Sequence, residues 1–272
     1  MTAKQFKGKA IYNPSGKAGE YSYWACNFYT GCSNDCSYCY CKRGVMSSVW
    51  STEPKLKKSF SDEATALQIF QSELLSNLEY LQEHGLFFSF TTDPLLPETK
   101  ELTCLAIAIC QANDVPVKIL TKMGYKEALD FNNTMNQYHL NKKRIAYGVT
   151  LTGHDELEPN APGNESRINA LRDMNFEGYP TFTSIEPIIT LPRALDMIEG
   201  TVGICDLYKI GLQSGKKYDE NNLKRFVNAV IDSTESMGCK VYFKDGLLEQ
   251  AGIKRESLPS VCVTRDYNIF KP

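Results

Sequence analysis

Three cysteines near the amino terminus have the residue type and the spacing to hold an iron–sulfur cluster. Cys32, Cys36 and Cys39 form the pattern C-x3-C-x2-C, and the aromatic residue Tyr38 directly precedes the third cysteine. Iron–sulfur clusters are held by cysteine thiolates, so these residues can hold three corners of a 4Fe–4S cubane. The remaining iron would carry no protein ligand and could bind a small molecule, as catalytic metal sites keep one position open.

A structural metal site is the alternative interpretation of this loop. Zinc or a fully ligated cluster would need a fourth ligand, for which Cys26 or Cys41 could serve. Zinc ligands usually come as two separated pairs, and the sequence offers no second pair; its three histidines, His84, His139 and His154, are not spaced for zinc. The spacing therefore favours an open iron, with Cys41 beside the cluster rather than on it.

Composition indicates a globular protein without a strong electrostatic bias. The 272 residues are 42% hydrophobic and 23% charged, with a formal net charge of −2, which favours neither a nucleic-acid binder nor a membrane-surface protein. The sequence shows no secretory signal and no run of about eighteen apolar residues, so we expect a cytoplasmic protein without a membrane span. Thiols stay reduced there, and clustered cysteines then indicate metal rather than disulfides.

Short apolar segments alternate with longer amphipathic ones along the chain. The predicted strands are 24–29, 86–91, 115–121, 145–151, 181–186 and 207–212, with a last short strand at 240–243. The predicted helices are one that begins at a Ser61 N-cap and runs through Leu81, then 98–113, 125–138, 164–175, 191–199 and 221–237.

This alternation predicts parallel βαβ units of the α/β class, closed into a partial (β/α)6 TIM-like barrel. No linker or repeat interrupts the series, so a single domain is expected. Its core is predicted over 24–239, with an N-terminal extension at 1–23 and a C-terminal extension at 240–272 that packs on the barrel. Residues at the carboxyl ends of the strands should face the site.

The cysteine loop resembles that of the radical S-adenosylmethionine (SAM) superfamily. The chain is similar to the branch around spore photoproduct lyase and related DNA repair photolyase-like proteins, from about Trp24 to Leu212. Besides the loop, the matching segments are SFTTDPLLPE (89–98), VKILTK (117–122), GVTLT (148–152) and EPNAPGNESRINAL (158–171). The resemblance implies the radical SAM type of barrel.

It also implies an enzyme, of the lyase class or with related radical chemistry. A 4Fe–4S cluster on Cys32, Cys36 and Cys39 would reductively cleave SAM to a 5′-deoxyadenosyl radical that abstracts hydrogen from a substrate. Flavodoxin or ferredoxin is the implied one-electron donor. The competing hypothesis is a non-catalytic zinc or fully ligated Fe–S module with a structural or redox-sensing role.

Two strand ends carry the first candidate SAM ligands. Thr92 and Asp93 end the second strand, where an acid can accept a hydrogen bond from the SAM ammonium group. Many superfamily members have Gly-Gly-Glu there, and this chain instead resembles the Ser/Thr-Asp version. Lys122, at the end of the third strand, is placed for the SAM carboxylate. The alternatives are a turn residue at Asp93, before Pro94, and a solvated Lys122.

The later strands supply the other candidates. Thr150 shares one face of the fourth strand with Thr152 and could contact ribose or carboxylate. Arg167 lies near a helix start, which is unfavourable for a cation, and a bidentate contact with the SAM carboxylate would explain it. Glu186 could contact the ribose or the substrate, and Gly211 could let adenine approach the backbone.

The sequence does not identify the substrate. Spore photoproduct lyase returns hydrogen through a cysteine near the end of the second strand, where this chain has Phe90, which argues against the same repair by the same route. Cys104, Cys205 or Cys239 could replace it, although scattered cysteines are usually buried apolar residues.

A nucleic-acid substrate remains a hypothesis, based on basic segments and interleaved tyrosines. The segments are 55–58, 142–144, 216–217 and 224–225, and the tyrosines are Tyr12, Tyr21, Tyr23 and Tyr29. Solvated surface charges and a packed strand edge are the alternative, which the near-neutral total favours.

Overall fold

The computed structural model describes residues 5–48 and 50–271. In chain order the strands are β1 (Ile11–Tyr12), β2 (Ala25–Cys26), β3 (Tyr29–Thr30), β4 (Lys55–Leu56), β5 (Leu86–Phe88), β6 (Val117–Thr121), β7 (Ile145–Thr150), β8 (Thr181–Ile188), β9 (Leu207–Leu212) and β10 (Lys240–Phe243). The helices are α1 (Gly16–Gly19), α2 (Glu63–Leu75), α3 (Leu78–His84), α4 (Lys100–Ala112), α5 (Tyr125–Gln137), α6 (Asn164–Phe176), α7 (Leu191–Glu199), α8 (Glu220–Glu235) and α9 (Asp245–Gln250).

The main sheet follows the order β1-β2-β5-β6-β7-β8-β9-β10. From β2 to β10 every neighbouring pair is parallel, and β1 pairs antiparallel with β2 at one edge. Each parallel strand thus lies beside the next one along the chain, which is the strand order of a barrel wound in one direction. The predicted α/β class and partial TIM-like barrel are confirmed.

The two faces of the sheet belong to different apolar clusters. Phe87, Ala146, Phe182, Leu207 and Tyr242, from β5, β7, β8, β9 and β10, form a small cluster inside the barrel. The intervening strand residues join the larger core, together with apolar residues of the helices. Because side chains alternate across a strand, both faces can be apolar only where both are covered.

Two predicted boundaries near the cysteine loop are wrong. The strand predicted at 24–29 is two short strands, because the chain leaves the sheet at Asn27, whose side-chain oxygen accepts a hydrogen bond from Phe90 N at 2.8 Å. The strand predicted at 86–91 ends at Phe88 for the same reason, since the main-chain N–H of Phe90 donates to the Asn27 side chain rather than to a neighbouring strand.

The first long helix also differs from the prediction. Its N-cap is Asp62 rather than Ser61, because the Asp62 carboxylate accepts a hydrogen bond from Thr65 N at 2.7 Å. The helix then ends at Leu75, and α3 starts a new one. Between them Asn77 donates back to the Glu73 carbonyl at 2.7 Å, which offers the backbone an alternative to continuing the helix.

Both chain ends contribute to the barrel. The segment predicted as the C-terminal extension adds β10, and Val263 N then donates to Val241 O at 2.8 Å, while Ile269 joins the inner apolar cluster. The segment predicted as the N-terminal extension adds β1 and residues 13–21, here called the strap; residues 1–4 and 272 lie outside the described residues. Among the helices that the structure describes, none combines the length and the apolar character needed to cross a membrane.

Candidate functional site

The cysteine loop, residues 31–42, follows β3 at the carboxyl end of β2. Gly31 starts it with a φ of +85°, and a Cβ there would lie 2.6 Å from Glu53 O, so only glycine fits this turn. Lys42 closes the loop by pairing with the Asp35 carboxylate and donating to the Asp35 carbonyl at 2.9 Å. We call the carboxyl ends of β2, β5, β6 and β7, with this loop, the cysteine side.

The predicted cluster ligands are free thiols on this loop. Cys36 is buried, Cys32 and Cys39 are partly buried, and burial raises the pKa of Cys32 to about 12. A hydrogen bond from Cys41 lowers the pKa of Cys39 to about 6 and raises that of Cys41. Three thiols on one loop fit an iron–sulfur cluster in donor type and number.

Within the described residues, no group of three or more His, Cys, Asp or Glu side chains is arranged to hold a single metal ion. A cubane bonds each thiolate to a different iron, so its ligands need not converge on one point.

Asp93 connects the cysteine loop to two strand ends. Its Oδ1 accepts hydrogen bonds from Leu95 N at 3.0 Å and Thr121 Oγ1 at 2.7 Å. Its Oδ2 accepts from Lys122 N at 2.7 Å and Asn34 Nδ2 at 3.1 Å. The carboxylate is buried and already carries four donors from within the chain, so in this structure Asp93 braces the site.

Polar atoms beside Asp93 are left for a ligand. Thr92 Oγ1 and Asn34 Oδ1 are buried and have no hydrogen-bond partner in the described part of the chain. The Lys122 ammonium lies 5.7 Å above the Tyr38 ring, and no described residue pairs with it through an ion pair or a hydrogen bond. Burial lowers the pKa of Lys122, but Cys36, Glu158 and Asp93 together outweigh that effect, so the pKa is raised overall. Two acceptors and one cation therefore remain available.

Arg167 is fully buried, and its guanidinium contacts the chain itself. Nε donates to Pro162 O at 2.8 Å, Nη1 donates to Thr150 O at 2.9 Å, and Nη2 lies 2.7 Å from Glu158 Oε2. Glu158 also accepts a hydrogen bond from the Tyr38 hydroxyl, and burial together with this carboxylate raises the pKa of Tyr38. The unfavourable position of Arg167 near a helix start is thus explained by an internal ion pair that reaches the cysteine loop.

The loop after β7 also forms hydrogen bonds with main-chain atoms of the cysteine loop. Ser37 N donates to Leu157 O at 2.9 Å, and Asn160 Nδ2 donates to Ser33 O at 2.9 Å. Thr150 is buried at the end of β7, and the neighbouring Thr152 is also buried. These contacts fix the loop between the ends of β5, β6 and β7.

Glu186 and Gly211 lie elsewhere in the barrel mouth, on what we call the strap side: the carboxyl ends of β8, β9 and β10, with the strap. Glu186 Oε2 accepts a hydrogen bond from Tyr21 Oη at 2.8 Å and lies 2.7 Å from Lys244 Nζ. A Cβ on Gly211 would come within 2.8 Å of Glu186 Cδ and 2.9 Å of Lys244 Cδ. The glycine makes room for this ion pair.

Phe90 lies between the two sides. Its ring is 6.1 Å from the Tyr21 ring and 4.5 Å from the Phe87 ring. Its carbonyl accepts hydrogen bonds from the Tyr40 hydroxyl and, at 3.7 Å, from Cys41 Sγ. In the sequence resemblance, Phe90 stands where spore photoproduct lyase has its hydrogen-donor cysteine. Here this residue makes aromatic contacts, and the Cys41 thiol lies beside its carbonyl.

Solved structures share this architecture. The chain superposes on a mutant of spore photoproduct lyase with a TM-score of 0.55 and 15% identity, covering 84% of this chain and 64% of that one. For a double mutant of that protein with bound AdoMet and dinucleoside spore photoproduct, the TM-score is 0.53 and the identity 15%, and the match covers 79% of this chain and 62% of that one. For Streptococcus suis SuiB bound to S-adenosylmethionine, the TM-score is 0.52 and the identity 12%, and the match covers 79% of this chain and 49% of that one.

The chain has the fold of these proteins. The resemblance predicted from the sequence is confirmed at this level, and at such low identity the likeness concerns the fold alone. The chain spans less than two thirds of the length of each of these neighbours. Neither a protein-family model nor a curated protein sequence matches it.

Glu158 and Asn34 were not singled out from the sequence, and Tyr21 was considered there only as one of the tyrosines that could stack on bases. Glu158, Asn34 and Tyr21 make the contacts that join the loop, the strand ends and the strap. The sequence carries no local signal for Glu158, because only the structure shows that Arg167 is fully buried and therefore needs a carboxylate partner. Tyr21 and Asn34 carry no such signal either, since their partners come from distant strands.

The scattered cysteines and the amino-terminal tyrosines are not exposed. Cys104, Cys205 and Cys239 are buried. Tyr21 and Tyr29 are also buried, and the other two tyrosines of that group are partly buried.

Proposed function

We propose that the chain is a radical SAM enzyme that holds a 4Fe–4S cluster on Cys32, Cys36 and Cys39. The observation that carries the proposal is the C-x3-C-x2-C loop at the carboxyl end of a partial parallel barrel. Solved structures with this fold include two whose names state bound AdoMet or S-adenosylmethionine, which supports SAM as the cofactor here.

When bound, the cluster supplies one electron that splits SAM into methionine and a 5′-deoxyadenosyl radical, which takes a hydrogen atom from the substrate. A reduced flavodoxin or ferredoxin in the cytoplasm is the proposed source of that electron. Lyase chemistry remains a prediction from the sequence resemblance.

Some residues of the chain are proposed to bind the cofactor directly, and others to position the residues that do. Among the described residues, nothing pairs with the Lys122 ammonium or with the buried Thr92 and Asn34 oxygens, so the lysine is available for the SAM carboxylate and the oxygens for the SAM ammonium group. Asp93 and Arg167 act through the residues that they hold, because their own polar atoms already bind the chain. Thr150, Glu186 and Gly211 remain proposed contacts for the rest of the cofactor or for the substrate.

The test is SAM cleavage by anaerobically reconstituted protein. With dithionite and SAM, the wild-type protein should form 5′-deoxyadenosine, quantified by mass spectrometry, and Cys36→Ala should abolish it. The matched control is Cys41→Ala, which removes a thiol from the same loop and should retain product formation. Equal loss in both variants would contradict the ligand assignment, and bound zinc in place of iron would favour the structural module.

A further inference from the structure

A cavity of about 490 Å³ lies on the strap side of the barrel mouth. The strap forms one wall, and the ends of β8, β9 and β10 with the start of α9 form the other. This volume is within the range of small-molecule sites.

The charged groups that line the cavity are balanced. Three are cations and three are carboxylates: Lys17, Lys244, Arg265, Glu20, Glu186 and Asp245. Lys244 Nζ lies 2.7 Å from Glu186 Oε2 and 3.8 Å from Glu20 Oε2. A purely anionic ligand that approached Lys244 would therefore meet two carboxylates, whereas a ligand with both charges can pair with both kinds of group.

Two of these groups keep hydrogen-bonding atoms that are available for such a ligand. Glu186 uses Oε2 for both Tyr21 and Lys244, and within the described residues Oε1 has no hydrogen bond or ion pair. Lys17 lies at the exposed rim and donates to Ser214 Oγ at 3.1 Å, which leaves further N–H groups of its ammonium for a carboxylate.

The cavity rim has room for a ligand's own side chain. Gly16, Gly215 and Gly246 line it, and a Cβ added to any of them would meet no atom of the described residues within 4 Å. The Glu186 floor is also connected to the cysteine side, because its partner Tyr21 packs against Phe90, whose carbonyl binds Tyr40 of the cysteine loop.

We propose that this cavity binds a small zwitterion, a free amino acid, with its ammonium group on Glu186 and its carboxylate on Lys17. The assignment of this ligand as the substrate rests on the proposed radical chemistry, whereas the binding itself does not. A nucleic-acid substrate would require a net positive groove, which the balanced lining does not provide.

Saturation-transfer NMR on the reconstituted protein tests the proposal without reductant. The probes are a pool of the twenty proteinogenic L-amino acids and, as the anionic comparison, the dinucleotide thymidylyl-thymidine. At least one amino acid should receive saturation, with and without saturating SAM, and the dinucleotide should receive none. Glu186→Gln, which keeps the side-chain size, and Lys17→Met, at an exposed position, should each weaken binding about tenfold.

The matched controls are Glu165→Gln and Lys254→Met, both exposed and outside the cavity. Thermal unfolding shows whether each variant is folded. The proposal is overturned if no amino acid binds, if the dinucleotide binds instead, if SAM displaces the amino acid, or if folded Glu186→Gln and Lys17→Met both bind like the controls. Amino-acid binding without 5′-deoxyadenosine formation would contradict the proposed function alone, and the opposite result would contradict the cavity assignment alone.

Discussion

On the cysteine side of the barrel mouth, a fully buried ion pair reaches the cysteine loop, whereas on the strap side the Lys244–Glu186 pair lines an open cavity and lysines hold main-chain carbonyls of the strap. Arg167 and Glu158 are fully buried and reach the cysteine loop through Tyr38. Lys244 donates to Lys17 O at 2.9 Å, and Lys209 donates to the carbonyls of two neighbouring strap residues. The first arrangement suits a cofactor site that must keep one geometry, and the second suits a site whose cover can release a ligand.

Arg167→Met should have the largest effect on stability. It leaves Glu158 buried without its partner, so the free energy of unfolding should fall by about 3–5 kcal/mol. Chemical denaturation measures the change. The matched control is Arg193→Met, which removes an exposed ion pair with Asp196 and should change the free energy by less than about 1 kcal/mol. Similar losses in the two variants would show that the cysteine side is not braced by this pair.

The contrast between the two sides also shows what sequence reasoning could reach. The strand order and the cysteine loop were predictable, because both depend on local spacing: apolar periodicity and three cysteines within eight residues. The candidate residues at strand ends were predictable in position, since parallel strands place their carboxyl ends at one edge.

The partners of those residues were not predictable. Arg167 contacts Glu158, nine positions earlier, and Glu186 contacts Tyr21, which is 165 positions away. Which atoms of a side chain remain free depends on such long-range contacts, and no local pattern encodes them. The same holds for the early end of β5, which depends on a hydrogen bond from Phe90 to Asn27 across 63 positions.

Lys122→Met should show whether Lys122 binds the cofactor or instead stabilises the fold around it. No described residue forms an ion pair or a hydrogen bond with the Lys122 ammonium, so its loss should weaken SAM binding about tenfold to a hundredfold while it leaves unfolding nearly unchanged. Equilibrium binding to anaerobically reconstituted protein measures this. Lys126→Met, at an exposed position on α5, is the control and should bind SAM like the wild type. Unchanged affinity in Lys122→Met would remove this residue from the proposed site.

Gly211→Ala should act on the strap side alone. The added Cβ would come within 2.9 Å of both Glu186 and Lys244, so the ion pair must shift, at a cost of about 1–3 kcal/mol in unfolding free energy. Gly246→Ala is the control, because its Cβ would enter open space. A destabilisation of the same size in both variants would mean that the space above Gly211 is not filled by the pair.

Lys209→Met should have the smallest global effect and a specific local one. Burial lowers the pKa of Lys209 well below 10.5, and the neighbouring lysines 118 and 244 lower it further. Because burial already disfavours the charged form of Lys209, replacing it by an apolar side chain of similar size should change the unfolding free energy at pH 7 little.

The strap, however, loses the two hydrogen bonds from Lys209 Nζ to the carbonyls of Glu20 and Tyr21, at 3.0 and 3.1 Å. Amide hydrogen exchange over 13–21 should therefore become faster, while that of the cysteine loop stays the same. Between the lowered pKa and 10.5 the unfolded wild-type chain binds a proton that the folded chain lacks, so the contribution of Lys209 to stability rises with pH across that window. The variant should lose this rise, which unfolding measured from pH 8 to 10 can detect. If strap exchange and the pH slope both match the wild type, then Lys209 does not hold the strap, and the two sides of the barrel mouth do not differ as described.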